Sequence, residues 1–126
     1  MNPESPDFIV RAFLDAIDAR DLETAQSFLS PDFSMEFPGG GTMRTLKELI
    51  DWAKPRYRSV SKRYDKFDVV DAGGDESAVY CFGTLSGVWN NGEEFSAIRF
   101  IDRFGIKNDR IMDQKVWNDL GEVRKP

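Results

Sequence analysis

The chain has 126 residues, with 17 Lys or Arg against 22 Asp or Glu, a formal charge of −5, and 40% hydrophobic and 13% aromatic content. This is apolar material for one globular core and not for two, so a single domain spanning 1–126 is expected. No apolar run is long enough to cross a bilayer and no basic-then-apolar leader opens the chain, which leads to the expectation of a soluble cytoplasmic protein without membrane partners.

Histidine is absent, which removes Ser/His, Cys/His and His-metal chemistry at once. Proton transfer would fall to carboxylates, Tyr, Lys or water. The single cysteine, Cys81, permits neither an internal disulfide nor a cysteine-based zinc site, and its uncharged surroundings mark it as a core thiol. No metal and no cofactor are expected. Charge is uneven: residues 1–40 carry a net −6, residues 41–68 a net +4 and residues 69–126 a net −3. The basic stretch holds Lys54, Arg56, Arg58, Lys62, Arg63 and Lys66, interleaved with Tyr57 and Tyr64. Given the acidic total, it reads as a solvated helix end and strand edge rather than a phosphate-tracking patch, and nucleic acid is not expected as a partner.

In chain order, Ser5 before Pro6 marks a helix start, and Phe8, Ile9, Ala12, Phe13, Ala16 and Ile17 recur at helical spacing. Asp21 caps a second helix with Leu22, Ala25, Phe28 and Leu29 on one face, ended by Ser30-Pro31. A short strand follows at Phe33, Met35 and Phe37, closed by a turn at Pro38-Gly39-Gly40-Gly41, which lacks the Lys-Ser/Thr of a phosphate loop. Thr45 and Glu48 have capping-box spacing for a third helix with Leu46, Leu49, Ile50 and Ala53 buried, stopped by Pro55. The period then switches to two, predicting strands at about 63–71, 77–89, 94–106 and 110–118, with turns at Gly73-Gly74, Asn90-Asn91-Gly92 and Lys107-Asn108-Asp109. Three helices, one early strand between the second and third, and a four-strand antiparallel meander make an α+β layout, in which a curved sheet wrapped around the helices would leave a cavity between them.

Alternation sorts the side chains that could face this cavity. Along 95–104, the face bearing Ser96, Ile98, Phe100, Asp102 and Phe104 is the more apolar, so it points inward and places Asp102 between two phenylalanines. Desolvation there would raise its pKa and make it a usable acid or base near neutral pH; alternatively it reaches water or pairs with a neighbouring arginine at the strand end. In the last strand the uncharged face is Met112, Gln114, Val116 and Asn118, two of them amides that need partners inside. Residues 78–89 are uncharged on both faces, as in a covered central strand; the hydroxyls on the face of Tyr80, Phe82, Thr84 and Ser86 favour it as the cavity lining, and the pattern leaves both faces open. Trp52, beside the stripe of the third helix, is either cavity wall or core.

The element order, together with FLDAIDARDL from Phe13 to Leu22, Leu29-Ser30-Pro31-Asp32-Phe33 running into Met35-Glu36-Phe37-Pro38, and Asp109-Arg110-Ile111 leading to Trp117-Asn118-Asp119, resembles the nuclear transport factor 2-like superfamily, in particular its SnoaL-like branch. The resemblance covers nearly the whole chain. It implies a cone-shaped α+β barrel, dimerisation through the outer sheet face and an apolar pocket between sheet and helices. Its enzymes include ketosteroid isomerases, polyketide cyclases, limonene-epoxide hydrolases and scytalone dehydratases. Against the isomerases, Phe13 stands in place of the oxyanion-hole tyrosine and Phe37 in place of the general-base aspartate, while Asp102 matches the protonated aspartate. The dehydratase histidines are absent. Val116 occupies the place of the hydrolase and cyclase aspartate, with Lys115 before it instead of arginine.

The expectation is a homodimeric protein whose pocket takes a small hydrophobic molecule. If it is an enzyme, it is a cofactor-independent isomerase, cyclase or dehydratase with Asp102 as acid or base. Tyr80, Thr84, Ser96 and Asn118 would orient the substrate, and Phe13, Phe37, Trp52, Phe82, Ile98, Phe100, Gln114 and Val116 would line the pocket. The alternative is a non-catalytic dimerisation or protein-interaction module whose pocket is filled by Phe13, Phe37, Trp52, Phe82 and Phe100.

Overall fold

The computed structural model describes residues 5–39 and 41–123; Gly40, within the expected turn, lies outside them. Helix α1 spans Pro6–Asp18, with Pro6 in its first turn, where a missing N–H costs nothing. Ser5 precedes it in extended conformation but makes no side-chain capping bond, contrary to the expected role. The buried face is Ile9, Val10, Phe13, Leu14 and Ala16, so the stripe is rotated from the expected one and Phe8 is exposed. Helix α2, Leu22–Ser27, is capped by Asp21, whose carboxylate accepts from the Thr24 amide at 3.2 Å and from the Thr24 hydroxyl at 2.6 Å.

Strand β1 covers Leu29–Phe37 and begins before Ser30-Pro31, not after it. The Ile111 amide donates to the Phe28 carbonyl at 2.8 Å and Leu29 pairs with Ile111, so the incoming chain is captured by the last strand. The register shift between Leu29 and Ser34 brackets Pro31, which has no N–H to give the ladder. A short β2, Gly41–Met43, pairs antiparallel with β1; it is too short for alternation to reveal. Helix α3, Leu46–Ala53, opens on the expected box: the Glu48 amide donates to Thr45 Oγ1 at 3.1 Å, while the Glu48 carboxylate accepts from the Arg44 amide at 3.2 Å. Of its expected stripe only Leu46 is buried.

The remaining strands are β3 (Tyr57–Gly73), β4 (Glu76–Trp89), β5 (Glu94–Lys107) and β6 (Arg110–Asn118), followed by a short helix α4, Leu120–Val123. Strand β3 starts six residues earlier than predicted because Tyr57 and Trp89 pair across the ladder and stack at 5.3 Å, an aromatic contact hidden in the basic run. The six strands form one sheet in the order β2-β1-β6-β5-β4-β3. The sheet is mixed rather than wholly antiparallel, since β1 runs parallel to β6. Helix α1 packs against β3, β4 and β6 across the concave side, which gives the α+β cone expected from the sequence. Its core is Val10, Phe13, Met35, Val79, Phe100, Phe104 and Ile111, each almost fully buried.

Two bulges decide which residues face the core. Between Leu85–Ile98 and Gly87–Phe95 strand β5 carries one extra residue, and Ala97 takes a left-handed φ of 56°. Phe95 is thereby turned inward and Ser96 outward, which corrects the expected inward Ser96. Between Gly105 and Ile106 the extra residue lies on β6, so Ile111 is buried ahead of the Gln114–Val116 face, while Met112 is only half-buried.

Candidate functional site

Strand β5 beyond its bulge alternates as the sequence predicts, and Ile98, Phe100, Asp102 and Phe104 point into the core. Asp102 is 0% exposed. It is not in apolar surroundings alone: Lys62 Nζ donates to its Oδ2 at 2.7 Å, and the same ammonium lies 4.8 Å from the centre of the Phe100 ring. The partner is therefore a lysine two strands away, in place of the neighbouring arginine considered from sequence. The second carboxylate oxygen, Oδ1, is buried and has no hydrogen-bond partner among the described residues.

Gly83 makes this pairing possible. In the β3–β4–β5 ladder Lys62 opposes Leu85, Asp102 opposes Cys81, and Tyr64 and Phe100 both oppose Gly83. With no side chain between them, the Tyr64 and Phe100 rings close over Gly83 edge-to-face at 5.6 Å, and Lys62 crosses β4 to reach Asp102. The approach is tight, since a Cβ on Gly83 would meet the Arg63 carbonyl oxygen at 1.9 Å. Phe67 extends the wall at 5.2 Å from Tyr64, capped by the Arg11 guanidinium 3.8 Å above its ring. Burial and then the Asp102 charge push the Cys81 thiol up to about 12, and the same two causes, in the same order, hold the Tyr64 hydroxyl well above its ordinary value. Both groups stay neutral, and Cys81 is the inert core thiol expected.

The inward face of β4 is Val79, Cys81, Gly83 and Leu85, which overturns the preference for the Tyr80 face. Tyr80 points to the outer surface, where its hydroxyl accepts from Arg103 Nε at 3.3 Å. Phe82 and Thr84 share that side, in line with their cross-strand partners Ile101 and Arg99. Uncharged composition on both faces had removed the signal; the two glycines at 83 and 87 on one face were the available clue, because they mark where β3 approaches closely. Of the other predicted residues, Phe13, Ile98, Phe100, Gln114 and Val116 are buried inside. Trp52 is half-buried in an aromatic row with Phe37 at 5.2 Å and Tyr57 at 6.3 Å, and Arg56 lies 4.3 Å over its ring. The Asn118 side chain accepts from the Leu120 amide at 3.1 Å, starting α4.

Recesses among the described residues open to solvent. One of about 310 Å³ is lined by Phe37, Pro38, Val116, Trp117 and Asn118 together with Glu36 and Lys115. Its lining residue Val116 is the cross-strand neighbour of Asp102 on the same inward face, and Asp102 itself does not line the recess. Another, of about 550 Å³, includes the outer-face residues Phe82, Thr84, Arg99, Ile101 and Trp117. Part of the basic stretch is engaged within the protein: Lys62 with Asp102 across the sheet, and locally Arg63 with Asp65 at 3.7 Å and Lys66 with Asp68 at 3.4 Å. Among the described residues no cluster of three or more His, Cys, Asp or Glu could hold a metal ion, and no helix is long and apolar enough to cross a membrane.

A family model for the SnoaL-like domain matches residues 10–114. The chain belongs to the SnoaL-like family. Solved structures with this fold include an NTF2-like protein of unknown function from Burkholderia pseudomallei, 21% identical, covering 98% of this chain and 95% of that one with a TM-score of 0.75. TerC, crystallised with polyporic acid, is 17% identical, with 97% and 95% covered and a TM-score of 0.76. An LEH-like epoxide hydrolase from M. tuberculosis is 20% identical, with 90% and 81% covered and a TM-score of 0.64. At these identities the likeness is one of fold. No curated protein matches the SnoaL-like chain in sequence.

Proposed function

We propose that this SnoaL-like domain binds a small, largely apolar molecule on the concave side of its sheet and that Asp102 is the group that contacts it. The observation that carries the reading is the fully buried carboxylate with one oxygen lacking any partner among the described residues, an arrangement that costs stability and calls for an explanation. The recess lined by Val116, the cross-strand neighbour of Asp102, is the entry this reading assigns to the molecule. Structural relatives that are an epoxide hydrolase and a protein crystallised with polyporic acid fit the same class of ligand. Where the protein is catalytic, the reaction is an isomerisation, cyclisation or dehydration with proton transfer at Asp102, without a cofactor. Tyr80, Thr84 and Ser96 take no part, because they lie on the outer face or on the bulge.

The test is a thermal-shift titration with steroids, polyketides and terpenoids. A ligand at a hundred times its Kd stabilises the folded state by about 2.7 kcal/mol, a readily measured rise in Tm. Silence across the panel removes the reading, as does an unchanged response in Asp102→Leu.

A second reading is supported by the outer face. Phe82, Ile101 and Trp117 form a cross-strand row, with Ile101 44% and Trp117 53% exposed beside the larger recess. A second copy covering this row gives a homodimer. If the concave side takes no ligand, dimerisation through this face is the function that remains.

A further inference from the structure

We infer that the recess lined by Val116 is a strand-edge notch that recognises an acylated amino-acid unit, an N–H and a C=O flanking one carbon, through the backbone of β6. The inference deepens the proposed function by naming a ligand class, and it rests on that reading only in taking this recess as the ligand's entry. The lining runs through consecutive residues of β6 from Lys115 to Asn118. Val116 belongs to the inward face and Trp117 to the outward one, so the recess is cut into the edge of the strand rather than into either face.

The ladder register identifies the backbone groups that meet it. The Asp119 amide donates to the Arg99 carbonyl at 3.1 Å, one residue past the pair of Phe100 with Asn118. In an antiparallel pair, residues bonded in this way alternate with ones that turn their N–H and C=O to the opposite side. Val116 and Asn118 therefore direct theirs toward β1. The parallel pairing of β1 with β6 ends at Glu36 opposite Lys115, a register in which the Glu36 carbonyl takes the Val116 amide. The next bonds of the ladder need the N–H of residue 38 for the Val116 carbonyl and the C=O of residue 38 for the Asn118 amide. Residue 38 is proline, which has no N–H, and the chain turns away there. Among the described residues no turn or loop backbone group replaces either partner.

The Val116 carbonyl and the Asn118 N–H are thus an acceptor and a donor left open side by side. Water meets each singly; one extended residue, the unit a continuing strand would have supplied, meets both and covers the apolar lining as well. By alternation its side chain falls on the outer side beside Trp117, and its flanking groups fall on the inner side beside Phe37 and Val116. Glu36 and Lys115 stand opposite each other at the notch, so a net charge of either sign meets attraction and repulsion together. A volume of about 310 Å³ suits one such unit with apolar substituents.

A matched series of probes tests this on the nitrogen-15-labelled full chain. N-acetyl-phenylalanine methylamide carries the unit, O-acetyl-phenyllactic acid methylamide sets an ester oxygen in place of its N–H, and N-acetylphenethylamine lacks its C=O. The first is expected to bind at least about tenfold tighter than either analogue and to shift the Asn118 amide resonance as it does. Asn118→Pro removes the open N–H, whereas Asn118→Ala keeps it and shares the loss of the side chain that starts α4. The advantage over N-acetylphenethylamine should survive in Asn118→Ala and vanish in Asn118→Pro; if the proline variant does not fold, the comparison of probes in the unaltered protein decides alone. Equal affinities, no binding by any probe, or saturation with the Asn118 resonance unmoved overturn the inference. When one of these occurs while the hydrophobic panel raises Tm, the inference falls alone. An amide preference beside a panel response unchanged in Asp102→Leu keeps the inference and removes the contact with Asp102.

Discussion

Replacing Lys62 by Met removes the counter-charge of Asp102 and shortens the unbranched side chain by only its terminal atom. Breaking a buried ion pair from one side costs about 3–5 kcal/mol, because the remaining charge stays in a medium that solvates it poorly. Lys62 keeps 21% exposure, so some of the pair's field is already screened, and about 2–4 kcal/mol is the expected loss. The reverse truncation is milder. In Asp102→Leu the lysine swings its ammonium to water along a flexible stem, whereas Asp102, at 0% exposure, has no such route. The order of stability is therefore Lys62→Met below Asp102→Leu, with the double variant within about 1 kcal/mol of the unaltered protein. Urea unfolding followed by circular dichroism measures all four corners of the cycle. For a chain of this length roughly 4 °C of Tm accompanies each kcal/mol, so Lys62→Met should melt about 8–16 °C lower. A Lys62→Met variant as stable as the unaltered protein, or a double variant as unstable as Lys62→Met, refutes the assignment of a closed ion pair.

Gly83→Ala should lower stability by about 3 kcal/mol or prevent folding, since its Cβ meets backbone at 1.9 Å rather than a side chain that can turn away; a melting temperature unchanged from the native one would contradict the close β3–β4 approach. Native Cys81 should resist a thiol reagent at pH 8 and react promptly in urea, because its ionisation is pushed up to about 12 by burial. The same shift makes stability pH-dependent with a definite sign. The folded state holds a thiol proton that the unfolded chain releases near its ordinary value of 9.0, so stability is full below that pH and declines as pH climbs towards about 12. Tyr64 acts in the same direction, and Cys81→Ala should flatten the decline; a stability rising over this range would be incompatible with both. Trp117→Glu should convert a dimer to a monomer in sedimentation at micromolar concentration, and an unaltered sedimentation coefficient would place the contact elsewhere.

The fold was legible because its signals are local. Asp21 and Thr45 act as caps as their spacing implies, and Asn90-Asn91-Gly92 turns the chain between β4 and β5. Alternation from Ile98 to Phe104 placed Asp102 inside correctly. It failed at Ser96, where a bulge at Ala97 inserts one residue, and a bulge has no signature when it does not use glycine. It was mute in β4, where both faces are uncharged. Lys62 was missed for a different reason. Composition groups it with the exposed cations around it, yet Lys62 and Tyr64 share the inward side of β3, and an aromatic two residues from a lysine was the readable sign. The long-range pairing of Lys62 with Asp102 across Gly83 depends on register between three strands, which one strand's sequence does not contain.

The central claim is that a ligand makes contact with Asp102. Carbon-13 labelling of the aspartate side-chain carboxyls, with Asp102 assigned by comparison with Asp102→Leu, reports on that contact directly. Titration with whichever compound raises Tm most should move the Asp102 resonance in step with binding while the exposed Asp51 and Asp65 resonances stay fixed. Saturation of the protein with the Asp102 resonance unmoved would place the ligand elsewhere and contradict the account.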